Sequence, residues 1–350
     1  MLSLTTAPPS GKREDVQDQL IFVISPPRAG STLLQRMLGA HSEVFTHPEP
    51  HLITPLEHLG YYARVDGAPY DHVNASEAMR TFVEGLPGGE EDYLDALRAY
   101  ADTLYGRMLS TSEKSRFLDK TPAYALSLDF LVKLYPHAKY VVLTRHPLAV
   151  FSSYANSFYG GNWEEARDFN PVIERYVPAM ASLLRERPVP ICHVAYEELV
   201  AQPAVQLERI FAYLGLENQP EAVNYGKTKM KAGMGDPINV GKHSRPMTAS
   251  IEKWAEELAA DPSKRVLAEE MIRRIAPEDL AEWGYDTERL WAPLAGAGNN
   301  PPPKTPLNSY TFQRNVMRLA REQVHARSGG VELVKKVRYY CDVLLRNRLG

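Results

Sequence analysis

Four groups of residues in this 350-residue chain have the chemistry to hold or move charge. They are the turn Pro26-Pro27-Arg28-Ala29-Gly30-Ser31-Thr32, the carboxylate Glu49 between Pro48 and Pro50, Lys120 in Asp119-Lys120-Thr121-Pro122, and Arg145 with Ser153 eight residues on. The turn follows an apolar run over 20–25 with the length and flanks of a buried parallel strand. After it, Leu33, Leu34, Met37 and Leu38 keep a helical period. Strand, small-residue turn and helix make an anion cradle. The first N–H groups of the helix have no internal partner and point outward, and the macrodipole adds partial positive charge there.

The turn departs from the pattern G-x-x-x-x-G-K-[ST], in which a lysine reaches the β/γ-phosphates and a hydroxyl holds magnesium. Here Gly30 is followed directly by Ser31-Thr32, and Arg28 precedes it. The cradle suits an anion held by backbone amides, hydroxyls and an arginine, with no evident metal. The bland alternative is a plain strand–helix turn with a chance group of small residues. Arg145 ends a second apolar strand, 139–144, and Ser153 lies two turns into the helix that Pro147 opens. A guanidinium and a hydroxyl so placed can hold a phosphate; alone, they would read as a surface arginine and a helix serine. With the cradle they imply a ligand carrying two separate anionic groups.

These groups meet only if strands and helices alternate. Short strands are expected at 42–45, 117–118 and 189–195. Helices are expected after the cradle to about 39–41, then at 52–59, 90–109, 124–134, 147–157 and 204–214, the last closed by Gly215. The segment 61–89 is rich in Gly, Pro and Asp, with a short helix near 76–84, and has the character of a lid. This alternation predicts an α/β fold with a P-loop-like central parallel sheet flanked by helices. Ligands in such sheets bind beyond the C-terminal ends of the strands.

Residues 1–19 read as a flexible N-terminus, 20–294 as one domain, 295–306 (AGAGNNPPPKTP, counting from 295) as a linker, and 307–350 as a helical C-terminal extension. That extension carries Lys335, Lys336, Arg338, Arg346 and Arg348, a dimer element, a carrier-protein dock or a solvated face. Before the linker, 234–254 is loop-like, holds Lys242, His243 and Arg245, and ends in a helix capped near Thr248 or Ser250. The net charge of −3 gives no bulk electrostatic case for nucleic-acid binding. Cys192 and Cys341 lack metal-ligand spacing, and no structural disulfide is expected, which favours a reducing compartment. The first residues lack the pattern of a secretory signal, and no apolar run is long enough to span a bilayer. A soluble, cytoplasmic protein is the expectation.

Three of these motifs together resemble the sulfotransferases that use 3′-phosphoadenosine 5′-phosphosulfate (PAPS). Residues 26–32 match the family's P-x-R-x-G-[ST]-T turn, which binds the 5′-phosphosulfate. Arg145 and Ser153 match the pair that binds the 3′-phosphate, and Tyr196-Glu197-Glu198-Leu199 with Leu214-Gly215-Leu216 match a Y-E-[DE]-L turn before a helix ending in L-G-L. The resemblance covers about 20–285 and is closer to the branch of tyrosylprotein and bacterial natural-product sulfotransferases. It implies that Arg28, Ala29, Gly30, Ser31, Thr32, Leu33, Arg145, Ser153 and Tyr196 bind the nucleotide. Arg245 is the best match for a late nucleotide contact, with Lys242 and His243 behind it, although this loop does not align cleanly. In that branch a Glu soon after an Ala-His pair is the base, matched by Glu49 after Ala40-His41, and a Lys in N/D-K-x-P reaches the transferring group, matched by Lys120.

The chemistry agrees with this assignment. Sulfuryl transfer, like phosphoryl transfer, rests on positioning and on positive potential where charge develops, and the acceptor hydroxyl must lose a proton to a base in reach. His47 and His51 remain alternatives to Glu49 as base, and with Tyr124 they are candidate substrate contacts or else packing residues. The expected cofactor is PAPS, with no metal. The expected acceptor is a hydroxyl of a small molecule or of an acyl chain on a carrier protein, and in some relatives such sulfation precedes an elimination. The expected partners include no nucleic acid, and a homodimer could form through the C-terminal helices. The rival readings are a P-loop kinase or NTPase and a non-catalytic nucleotide-binding module.

Overall fold

Five parallel strands, β1 (Leu20–Ile24), β2 (Val44–Thr46), β3 (Arg116–Asp119), β4 (Lys139–Thr144) and β5 (Ile191–Ala195), lie side by side in the order β2-β3-β1-β4-β5. This computed structural model describes residues 16–63, 72–227 and 251–297. The helices between and after the strands are α1 (Ser31–Gly39), α2 (Thr54–Glu57), α3 (His72–Glu84), α4 (Glu90–Leu109), α5 (Leu128–Leu134), α6 (Pro147–Tyr159), α7 (Trp163–Phe169) and α8 (Val172–Glu186). After β5 come α9 (Tyr196–Ala201), α10 (Pro203–Leu214), α11 (Lys253–Ala260), α12 (Pro262–Arg273), α13 (Pro277–Glu282) and α14 (Thr287–Ala295). A 3-10 turn at Pro122–Leu126 and a kinked 3-10 segment at Pro220–Lys227 complete the connections that matter here.

Every residue of β1 is buried, because the strand is covered on both faces and paired on both edges. That is why it reads as an unbroken apolar run rather than an alternation. The chain leaves β1 for β2 at the far edge, returns to insert β3, then crosses to β4 and β5 on the other side. The winding therefore reverses at β1, and the register sets Phe22 between Asp119 and Tyr140. The loops after β1, β3 and β4 consequently leave the sheet side by side.

The helices α11–α14 buttress the β4 end of this edge. Trp283 donates its Nε1 hydrogen to the carbonyl of Arg145 at 2.8 Å. The His146 ring lies flat on Trp254, centroids 4.2 Å apart, and donates from Nε2 to the carbonyl of Leu290 at 2.9 Å. Glu257 of α11 is buried and accepts from Ser152 Oγ at 2.6 Å, Asn156 Nδ2 at 3.0 Å and Trp163 Nε1 at 3.1 Å while paired with Lys264. Those bonds clamp α6, and a carboxylate so buried is tolerable only because each oxygen is satisfied.

The expected parallel sheet flanked by helices is the architecture observed. Boundaries differ where packing overrides local pattern. The second strand is Val44–Thr46, not 42–45, because Val44 is the first residue of that stretch to pair with β3. The helix expected near 76–84 begins at His72. The helix expected over 124–134 breaks at Ser127 (φ −130°, ψ 33°) into a 3-10 turn and α5. Tyr196–Leu199 is not a turn but the start of α9. The segments 163–186 and 262–282, unassigned from sequence, are helical. Residue 295 closes α14 and Gly296 caps it, while 298–306 of the linker, the extension at 307–350, Cys341, and the capping residues Thr248 and Ser250 lie outside the described residues. Among the described residues no helix is long and apolar enough to cross a membrane.

Burial holds His146 neutral and pushes it down to about 4, with Arg145 adding to the effect. Unfolded, the same ring titrates near ~6.5. Between these values the unfolded chain binds a proton that the folded chain refuses, so stability falls as pH drops and is flat above the upper one. Melting curves from pH 7.5 to pH 4 should show a loss of roughly 3 kcal/mol from this group. His146→Asn should remove that part of the acid dependence; an unchanged dependence would mean the ring is not buried neutral.

Candidate active site

The five strand ends present five chemistries in spatial order. Crossing the C-terminal edge from β2 to β5 one meets Glu49, then Lys120 after β3, then the Arg28–Thr32 turn after β1, then Arg145 after β4, then Tyr196 after β5. The turn is held in the geometry of an anion cradle. Gly30 has φ +97° and opens α1, and Arg28 itself has φ +71°. A Cβ on Gly30 would stand 2.4 Å from Cδ2 of Tyr196, so the ring of the β5 residue covers the turn and only glycine leaves it room. Ser31 and Ala29 are buried beneath it, and Leu33 packs against the core.

Two cations sit on the β4 side. Arg145 donates from Nη1 to the carbonyl of Arg28 at 3.0 Å, with its guanidinium 4.4 Å from the centre of the Tyr196 ring. Burial pushes Arg145 below the usual guanidinium range, opposed by the Tyr196 and Glu197 side chains. Arg28 Nε lies 3.4 Å from Ser153 Oγ, and its guanidinium is 5.8 Å from the Phe158 ring. Arg28, Arg145 and Ser153 therefore converge, although 117 and 125 residues separate the partners in sequence.

On the β3 side, Lys120 is buried at 1% exposure. Its Nζ donates to Glu49 Oε1 and stands 3.5 Å from Thr32 Oγ1, so one ammonium ties the carboxylate to the cradle. His51 Nε2 is 3.9 Å from the other Glu49 oxygen, and His51 has φ +50°. His47 uses Nδ1 on the carbonyl of Pro48 at 2.8 Å. Tyr124, expected as a substrate contact, is fully buried. Its hydroxyl donates to Asp119 Oδ2 at 3.1 Å and accepts from the Ile53 amide at 3.2 Å. Arg245, Lys242 and His243 lie outside the described residues.

Two residues at the site belong to none of the sequence motifs. Gln35 on α1 donates from Nε2 to Thr46 Oγ1 at 2.8 Å and to the carbonyl of His47 at 3.1 Å, holding the approach to Glu49. Its signal was a polar side chain between Leu34 and Met37 on an apolar helix face. Tyr176 of α8 feels the charge of Glu49, a minor addition to the burial that pushes its phenol up to about 12. Nothing in the sequence distinguishes it from a core tyrosine. Among the described residues no group of three or more His, Cys, Asp or Glu is arranged to hold a metal.

The model of the sulfotransferase family matches residues 20–220, the stretch that contains the whole strand edge, and the chain belongs to that family. It is a transferase of the sulfuryl-transferring class. Nodulation protein NoeE of Sinorhizobium fredii is 28% identical over 79% of this chain and 68% of its own. Protein-tyrosine sulfotransferase 1 of Danio rerio is 25% identical over 76% of this chain and 72% of its own. Among solved structures, the sulfotransferase domain of the Synechococcus PCC 7002 olefin synthase is 25% identical, covers 67% of this chain and 86% of its own, and superposes with a TM-score of 0.46.

Gly30→Ala should force both a strained φ and a collision with Tyr196. A loss of about 1–3 kcal/mol is expected in thermal melts, together with weakened binding of adenosine 3′,5′-bisphosphate by calorimetry.

Proposed function

We propose that the chain transfers the sulfuryl group of PAPS to a hydroxyl, with Glu49 as general base and Lys120 stabilising the transferring group. The observation that carries this reading is the Lys120 ammonium between Glu49 and Thr32. It puts a carboxylate, a cation and the first turn of the cradle helix within one hydrogen-bonded group. A bound PAPS would supply the activated sulfuryl group; the chain's residues bind, orient and move the proton.

The donor set fits two anionic groups set apart. The amides opening α1, with Arg28, Ser31 and Thr32, suit the 5′-phosphosulfate. Arg145 and Ser153 suit the 3′-phosphate. Tyr196 lies against both through its contacts with Gly30 and Arg145, and Arg245 is proposed as a further contact. Lys120 would place positive charge where negative charge develops on the bridging and sulfuryl oxygens. Glu49 accepts the hydroxyl proton as the acceptor attacks. His51, next to Glu49, is better placed than His47 to touch an acceptor.

The proposed acceptor is a hydroxyl on a small molecule or on a carrier-bound acyl chain. Tyrosine, named for the related protein-tyrosine sulfotransferase, is likewise a hydroxyl acceptor. A cytoplasmic location and pairing through the C-terminal helices belong to the same proposal.

Incubation with 35S-labelled PAPS and a panel of hydroxylated metabolites and carrier-bound acyl chains tests the reaction. Label should move to a hydroxyl acceptor. Turnover of ATP with magnesium in place of transfer would favour the kinase reading. Glu49→Gln should lower kcat about 10²–10⁴-fold while the KM for PAPS stays within about threefold. Parental kcat in that variant would remove Glu49 from the role of base.

A further inference from the structure

Glu49 lies on a stretch without regular structure, 47–53, so its position must be imposed from outside. Two side chains grip that stretch. Gln35 holds the carbonyl of His47 from α1, ahead of the carboxylate. Behind it, the Ile53 amide donates to the hydroxyl of Tyr124. That same hydroxyl donates to Asp119, the last residue of β3 and the neighbour of Lys120.

Asp119 is buried at 1% exposure and takes three hydroxyl donors: Tyr105 at 2.6 Å, Thr121 at 2.8 Å and Tyr124 at 3.1 Å. Burial raises its pKa, and the three hydroxyls and Lys120 oppose that rise. A carboxylate bound in this way is a fixed point, since moving it would strand several buried partners. Its position at the end of β3 fixes where Lys120 departs. The Tyr124 hydroxyl uses its hydrogen on that fixed point and its lone pair on the Glu49 segment. It is the one phenol of the cluster that touches both; Tyr105 reaches Asp119 alone among these groups.

We propose that Tyr124 is a positioning residue for the transfer reaction: its hydroxyl sets the reach between Glu49 and Lys120 by tying the segment of one to the strand end of the other. This rests on the proposed roles of Glu49 and Lys120. The ring itself is core, packed edge-on against Phe22 with centroids 6.3 Å apart, so removing only the oxygen separates packing from positioning.

The test compares Tyr124→Phe with Tyr105→Phe, each of which removes one hydroxyl donor from Asp119. Both should lower the melting temperature. Tyr124→Phe alone should lower kcat, by at least about tenfold, with the KM for PAPS and the affinity for adenosine 3′,5′-bisphosphate within about twofold. On the Glu49→Gln background, Tyr124→Phe should change kcat by less than about twofold, because a residue acting through Glu49 has nothing left to act on. Equal kcat losses in the two phenylalanine variants, or additive losses with Glu49→Gln, would overturn the proposal. Should Tyr124→Phe fail to fold, hydrogen exchange on the parental protein decides: the Ile53 amide should be protected like the strand amides of β1, and exchange at the rate of an open loop would overturn it. That arm needs no acceptor, so absence of PAPS turnover in the parent would count against the proposed reaction without touching the hydrogen-bond assignment.

Discussion

Parallel strands all end on the same edge, and in this chain that constraint is converted into a row of charges. The order β2-β3-β1-β4-β5 places the cradle at the centre, with a lysine on one flank and an arginine on the other. Chain segments more than 70 residues apart, 49 and 120, meet because β2 pairs with β3 and not because anything local brings them together. The arrangement concentrates positive potential at one point of a chain whose net charge is −3. An anion bound as proposed would meet that potential at the edge rather than across the whole surface.

The cost of such a row is the burial of Lys120 and Arg145, and the structure meets it differently on the two flanks. Lys120 is neutralised by Glu49, and a buried cation with its partner in contact is far less costly than one alone. Arg145 meets the Arg28 carbonyl and the face of Tyr196, and the Glu197 carboxylate opposes the downward push of burial on its guanidinium. An anion bound there as proposed would add a further charge-assisted contact. The helices α11–α14 stiffen that flank through Trp283 and His146, although they contribute none of its proposed ligands among the described residues.

Much of the site was legible because its chemistry sits at strand ends and helix starts, where sequence leaves strong marks. The β1 apolar run, Gly30 between Arg28 and Ser31-Thr32, and Pro147 at the start of α6 each record a backbone requirement in residue type. Less legible was anything set by packing between distant segments. Tyr124 offers one example: as an aromatic two residues after a proline it has no distinguishing mark, and its duty follows only from Asp119 and Ile53 lying on either side of its hydroxyl. Gln35 is another: a polar side chain on an apolar helix face shows in the sequence, but its grip on the His47 carbonyl does not. The break at Ser127 was hidden because 124–134 satisfies helical periodicity throughout, and only the anchored Tyr124 forces the tighter turn before it. The helices at 163–186 and 262–282 carry no motif, and even Tyr176 of α8, near enough to feel Glu49, has nothing in the sequence to mark it.

The account depends on two neighbouring receptacles for negative groups, one at the cradle and one at Arg145 and Ser153, filled by a single molecule. Isothermal titration of the parental protein with adenosine 3′,5′-bisphosphate and, separately, with adenosine 5′-phosphate probes this directly. One site per chain is expected, with the bisphosphate bound at least about tenfold more tightly, a difference of about 1.4 kcal/mol for the added phosphate. Equal affinity for the two nucleotides, or no heat with either, would contradict it.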